Sequence, residues 1–259
     1  MVVEEAATDR SPSREGGPGS EPSICSPGVT GLATRRARWV LVVCGVLLVF
    51  TVAQVWADAG VLVRADHLLH EAPFRQRWPS LVGAARVTDL VGQRGPTAVL
   101  ALVLAAVLGV RQRRWRPVVV TGAALLAINL VVGLAKLGFG RKDPAFDDPE
   151  LFQGGLLFPS GHAANVVLTW GVVAYLLAVY GPLWHRRRAL GAGVAALTLL
   201  MGVTAVYRDT HWMTDMLAGF LMGAIVLQAV VLLDAVRVEL AVGHVLGRLR
   251  RRLSAGASG

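Results

Sequence analysis

The sequence is poor in cysteine, lysine and carboxylates, and each shortage excludes something. Two cysteines, Cys25 and Cys44, are too few for a disulfide framework. Cys44 lies in an apolar run, where a thiol packs as a small hydrophobe. Acidic residues number 17 against 26 basic ones, for a net charge of +9. The basic residues fall in short clusters between apolar runs, which argues against a nucleic-acid surface. Only Lys136 and Lys142 are lysines, and both lie in the stretch KLGFGRK. Charge of either sign is missing from long stretches, and what fills them is apolar. Hydrophobic residues make up 54% of the 259, and the mean hydropathy is +0.55. Soluble domains of this length rarely run so apolar, so composition places the chain in the membrane class.

Residues 1–34 are rich in Ser, Pro, Gly and charge without a hydrophobic period, and read as a disordered cytoplasmic tail. That stretch is too long and too acidic at its start for a signal peptide, so no cleavage is expected. Six apolar segments follow, at about 39–57, 96–110, 117–138, 161–183, 189–207 and 215–236. Most reach the roughly 20 residues that a bilayer core requires. The second is short and is expected to draw on Val91 or its neighbours. The fold class is therefore an all-α, six-span integral membrane bundle over 35–238, followed by a basic cytoplasmic tail at 239–259. Residues 61–94 mix apolar and charged side chains and read as an interfacial helix and loop, with Trp78 at headgroup level and His67 and His70 on its surface.

Arginine clusters set the orientation. Arg35, Arg36 and Arg38 precede the first segment; Arg111, Arg113, Arg114 and Arg116 follow the second. Arg186, Arg187 and Arg188 follow the fourth, and Arg248, Arg250, Arg251 and Arg252 follow the sixth. Six spans put all four clusters on one face, which the positive-inside rule makes cytoplasmic. Both termini are then expected inside a cell membrane. The loops at 58–94, 139–160 and 208–214 share the outer face, and they hold most of the reactive side chains.

Three of those stretches carry chemistry: KLGFGRKDP (136–144), PSGH (159–162) and HWMTD (211–215). Pro159 and Ser160 suit a helix start, whose free N–H groups at Gly161 and His162 make an anion site. His162 can deliver a proton to an anion held there. His211 and Asp215 stand four apart, on one helical face. A carboxylate there orients the imidazole, and the other ring nitrogen can attack an electrophile. Lys136 and Arg141 supply positive charge of the kind phosphoryl transfer needs. His162, His211 and Asp215 could bind zinc, but Lys136 and Arg141 would repel a cation, so no metal is expected. Trp212 reads as an interface anchor.

In this order and at these intervals, the three stretches resemble the signature of the type 2 phosphatidic acid phosphatase superfamily, over about 136–220. The resemblance implies a metal-independent and cofactor-free lipid phosphatase. Lys136 matches the phosphate-binding lysine, and Ser160 and Gly161 match the phosphate-cradling pair. His162 matches the general acid, His211 the nucleophile that forms a phosphohistidine, and Asp215 the carboxylate that orients it. The family's arginine six residues before the nucleophile is Ala205 here, after Thr204 in place of serine. Its other arginine, before Pro144, is Asp143. Arg141 and Arg208 lie close by in sequence and are the expected replacements.

The resulting expectation is hydrolysis of polyprenyl diphosphate, phosphatidic acid or phosphatidylglycerol phosphate, with the polyprenyl carrier favoured. The expected partners are the lipid phosphate and the bilayer, not nucleic acid, and a homo-oligomer is compatible with the plan. A catalytically weak relative that binds phospholipid head groups is the alternative. A vanadate haloperoxidase and a transporter fit less well, because haloperoxidases are usually soluble helical bundles and because the spans are nearly charge-free.

Overall fold

The structure is a computed structural model, which describes residues 27–142, 144–146, 150–152 and 154–256, with side-chain packing between 35 and 236. Regular structure among these residues is entirely helical. Helix α1 spans Pro27–Trp56, α2 Val61–His70, α3 Phe74–Arg77 and α4 Val82–Asp89. Then come α5 (Arg94–Gln112), α6 (Arg116–Phe139), α7 (Gly161–Tyr175, continued by a wider turn to Tyr180), α8 (Arg187–Tyr207) and α9 (Met213–Gly256).

Six segments are long and apolar enough to cross a bilayer: Arg35–Trp56, Arg94–Gln112, Arg116–Phe139, Gly161–Tyr180, Trp184–Tyr207 and Met213–Val236. Each lies within a few residues of its expected position. Three boundaries differ. The second span does not draw on Val91, which sits in a separate short turn at Leu90–Gly92. Gln93 is extended, and α5 starts at Arg94 with Pro96 in its first turn, where the missing N–H costs little. Helix α1 begins at Pro27, inside the stretch expected to be tail, with proline at the first helical position. Helix α9 runs through the expected basic tail as far as Gly256, since its Leu, Ala and Arg are all strong helix formers. Residues 1–26 and 257–259 lie outside the described residues.

Helix α7 is the axis of the bundle. It packs against α5, α6, α8 and α9, and 61% of its span is buried, more than any other. Leu168 and Val172 of α7 meet Ala124, Ile128 and Val132 of α6 and Val226 of α9 in the main apolar core. Large side chains on the outer spans (Trp39, Val49, Leu126, Leu137, Leu199) are exposed, as befits a surface solvated by lipid.

Two glycines set how closely α9 approaches the first turns of α7. A Cβ at Gly219 would stand 2.7 Å from the Ala163 Cβ, and one at Gly223 would stand 3.0 Å from the Val167 Cβ. Small residues four apart let two backbones meet where side chains would hold them apart. This contact brings the start of α9 against the start of α7. At the same end α2–α4 fold back over the bundle, with the Tyr207 hydroxyl donating to the Trp78 carbonyl at 2.7 Å. The opposite end is closed by the Asp234 carboxylate, which accepts from Arg116 Nε and from the Tyr175 and Tyr180 hydroxyls, each at 2.6 Å.

Candidate active site

Ser160 caps α7: its backbone is extended and its Oγ accepts from the Ala163 N–H at 3.3 Å. Pro159 therefore stands just before the cap, outside the helix. The Ser160 N–H donates to the Asp215 carbonyl at 3.0 Å, which ties the cap to the first turn of α9. Between them lies His211. Its Nε2 is 3.3 Å from Ser160 Oγ, and its Nδ1 is 3.4 Å from Asp215 Oδ2. The second distance is long for a hydrogen bond, as catalytic contacts often are before substrate binds. Asp215 is wholly buried and held on two further sides, by the Trp212 N–H at 3.2 Å and by Arg141 Nη1 at 2.6 Å.

Arg141 is not where sequence proximity puts it. Its side chain is fully buried, and it donates to Thr214 Oγ1 at 2.7 Å and to Asp66 Oδ2 at 3.0 Å as well as to Asp215. The guanidinium carbon also lies 5.1 Å from the centre of the Trp212 ring. The cause is the turn after α6. Gly140 takes a left-handed conformation (φ 55°) and reverses the chain inward. Leu157 N–H then bonds the Arg141 carbonyl at 3.0 Å, and a side chain at Gly155 would collide with that carbonyl. Arg141 braces Asp215 from behind. It holds the Asp215 oxygen that His211 does not meet.

Its other partner, Asp66, was not anticipated. The carboxylate accepts from the Thr214 N–H at 2.9 Å. Burial pushes its carboxyl above the ordinary range, and the Thr214 hydroxyl and the Arg141 charge draw it back. A signal was present, because Val63 and Asp66 stand three apart on the buried face of α2. Trp212 is likewise no interface anchor. It is 2% exposed, sandwiched by His67, His70 and Arg141. His70 also pairs with Asp209 at 2.9 Å, so it joins α2 to the loop before α9.

Lys136, in the last turn of α6, is half-buried and donates its Nζ to the Leu156 carbonyl, within electrostatic reach of Asp215 and Arg94. His162 packs on Gly92: a Cβ there would lie 3.2 Å from the His162 Cβ and 3.3 Å from its Cδ2. Asp89, His211, Arg94 and Lys136 all stand within electrostatic reach of His162. Arg208 sits at the rim, paired with Asp89 at 3.3 Å. Asp143 lies outside the described residues. Lys136, Ser160, Gly161, His162 and Asp215 thus converge from three helices at one end of the bundle. His211 joins them from the loop before α9, not from the helical face it was expected to share with Asp215, because α9 starts only at Met213. Arg94 joins them unannounced by the motifs. Asp215, the best metal ligand of the set, is already engaged by an arginine, so the donor set suits an anion better than a cation.

A helical membrane bundle with a carboxylate-backed histidine facing a helix start that Ser160 caps and Gly161 opens defines a class, and comparison makes it specific. Residues 117–238 match the family model of the PAP2 superfamily. That match bears out the resemblance read in the three stretches. Phosphatidylglycerophosphatase B of Bacillus subtilis (strain 168) is 32% identical over 76 residues, 29% of this chain and 37% of that relative's length. The chain therefore aligns with less than half of that relative. The crystal structure of a transmembrane PAP2-type phosphatidylglycerolphosphate phosphatase from Bacillus subtilis superposes with a TM-score of 0.64. It covers 74% of this chain and 94% of that one at 23% identity, which shows the shared fold.

Proposed function

We propose that the protein is a membrane phosphatase that hydrolyses a lipid phosphomonoester or diphosphate through a phosphohistidine on His211. The placement of His211 carries the reading. One ring nitrogen faces Asp215, and the other faces the capped start of α7, where a phosphate would sit on the Gly161 and His162 N–H groups. Nε2 attacks phosphorus, the phosphorus–oxygen bond to the lipid breaks, and His162 gives its proton to the departing oxygen. Water then attacks the phosphohistidine while His162 takes a proton back. The phosphorus–nitrogen bond breaks, and phosphate leaves. Lys136 opposes the charge that grows on the phosphoryl oxygens.

A lipid substrate is favoured by an apolar cavity of about 610 Å³ that reaches Met213 and Met216, in the same first turns of α9 as Asp215. Leu62, Leu69, Phe74 and Trp78 line it from the α2–α4 arm, Leu199 and Val203 from α8, and Met216 and Phe220 from α9. Leu199 and Val203 are exposed, so the cavity opens on the surface that faces lipid. The names of the two relatives put phosphatidylglycerophosphate first among the three candidate lipids, ahead of the polyprenyl diphosphate favoured by the sequence. The arginine clusters favour the outer face for the site.

The test is phosphate release by the purified protein from these three lipid phosphates in detergent with excess chelator. Activity should persist in chelator, fall with orthovanadate and vanish in His211→Ala. Loss in chelator that zinc or magnesium restores would refute the metal-independent mechanism. The absence of arginine at positions 143 and 205 favours a second reading, a head-group-binding relative without turnover. Saturable binding of lipid phosphate with no phosphate release would establish it.

A further inference from the structure

We propose that Arg94 is the phosphate-clamping arginine of this site, supplied from α5 in place of the arginines missing at positions 143 and 205. The inference rests on the phosphatase reading for its turnover arm, and on an anion site alone for its binding arm. The need is electrostatic. With Arg141 neutralised by Asp66 and Asp215, and Arg208 held by Asp89, Lys136 alone of the sequence-expected cations faces the helix start. A phosphate dianion or diphosphate calls for more positive charge than one ammonium.

Arg94 is placed to provide it. Its guanidinium lies against the Gly161 Cα. A Cβ at residue 161 would collide with Nη2, with Cζ at 3.2 Å and Nε at 3.5 Å. Nη1 donates to Asn129 Oδ1 at 3.1 Å, which leaves the other two nitrogens turned towards the start of α7. Among the described residues Arg94 pairs with no carboxylate, and it is exposed, so an arriving anion can reach it. Glycine at 161 thus serves two ends: it opens the helix N–H groups and makes room for this side chain.

The backbone that carries Arg94 is anchored to the same helix. Asn165 of α7 donates to the Gly92 carbonyl at 3.0 Å and to Thr97 Oγ1 at 2.9 Å. Thr97 in turn donates to the Gln93 carbonyl at 2.6 Å, and Trp170 Nε1 donates to the Val91 carbonyl at 3.0 Å. Buried polar bonds on both sides of residue 94 fix its distance from the α7 cap, which is the support a preorganised anion clamp needs. Arg94 lies before the 117–238 match, so the family motifs could not reveal it.

The rival role is a tie between α5 and α6 through Asn129, and Arg94→Gln separates the two, since glutamine keeps an amide donor but no charge. In detergent, orthovanadate binding and phosphate release from phosphatidylglycerophosphate are measured for the wild-type protein, Arg94→Gln, Arg94→Ala and Arg94→Lys. Melting is followed without anion. Arg94→Gln should bind vanadate at least tenfold more weakly and turn over about 10²–10³-fold more slowly, with an unchanged anion-free melting temperature. Arg94→Lys should recover part of both losses. Wild-type vanadate affinity and turnover in Arg94→Gln would overturn the proposal while leaving the phosphatase reading intact. A wild-type protein that binds vanadate through Arg94 yet releases no phosphate would support the clamp and sink the phosphatase reading. Should Arg94→Ala fail to fold, Arg94→Gln and Arg94→Lys still decide.

Discussion

At the scale of single residues, three arginines that look alike in sequence meet three different fates. Arg141 is buried between two carboxylates, Arg208 is half-exposed against one, and Arg94 lies open beside Gly161. Removing Arg141 leaves Asp66 buried without its counter-charge and takes from Asp215 its closest one, a change that costs about 3–5 kcal/mol. Arg141→Ala should therefore lower the unfolding midpoint of the detergent-solubilised protein sharply, and an unchanged midpoint would refute the brace. Arg208→Ala removes only a partly solvated pair of about 0.2–1 kcal/mol, so turnover should fall by less than about tenfold. Although His211 and Asp215 meet across the start of α9 and not along one helical face, their pairing and the Ser160 cap were legible in the sequence. The arginines were not. Which way Arg141 points is decided by the left-handed turn at Gly140, and a vacant register position says nothing about that turn. Asp66 and Arg94 reach the site from other helices, through contacts that no local pattern encodes.

At the scale of elements, hydropathy located all six spans, since each must be nearly free of charge over about 20 residues to cross lipid. Helix ends were less legible. The start of α5 depends on buried bonds from Asn165 and Trp170, two residues some 70 positions downstream that hydropathy reads merely as part of an apolar run. Those bonds yield a prediction at this scale. Asn165→Leu keeps the branched outline but leaves the Gly92 carbonyl and the Thr97 hydroxyl short of a donor in the bundle interior, a loss of about 1–3 kcal/mol. It should also loosen Arg94 and His162, which packs on Gly92. Vanadate affinity should therefore fall together with the melting temperature, whereas a purely structural role for Asn165 would lower melting and leave affinity unchanged.

At the scale of the whole molecule, the site and the apolar cavity share one end, and the arginine clusters favour the outer face for that end. Cysteine placed at Gln76, in a background lacking Cys25 and Cys44, should react with an impermeant maleimide on intact cells, and cysteine at Arg187 should not. The reverse pattern would turn the bundle over. On the proposed phosphatase reading, the cavity would tie the phosphate site to a lipid. A tail lying between α8, α9 and the α2–α4 arm would exchange bilayer for protein contacts and fix the head group at the α7 cap, so its contribution should appear in kcat/KM for long-chain substrates. Val203 lines the cavity from α8 and is exposed towards lipid, so a larger side chain there can intrude without disturbing the buried core. Val203→Trp should displace two or three methylene groups of a bound chain, at about 0.8 kcal/mol each. That corresponds to a loss of about fifteen- to sixtyfold in kcat/KM for a long-chain lipid phosphate. Hydrolysis of a soluble phosphomonoester such as p-nitrophenyl phosphate, which has no tail to displace, should stay within about twofold of wild type. An equal loss on both substrates would mean that the tryptophan disturbs His211 through α9 and that the cavity does not hold the lipid chain.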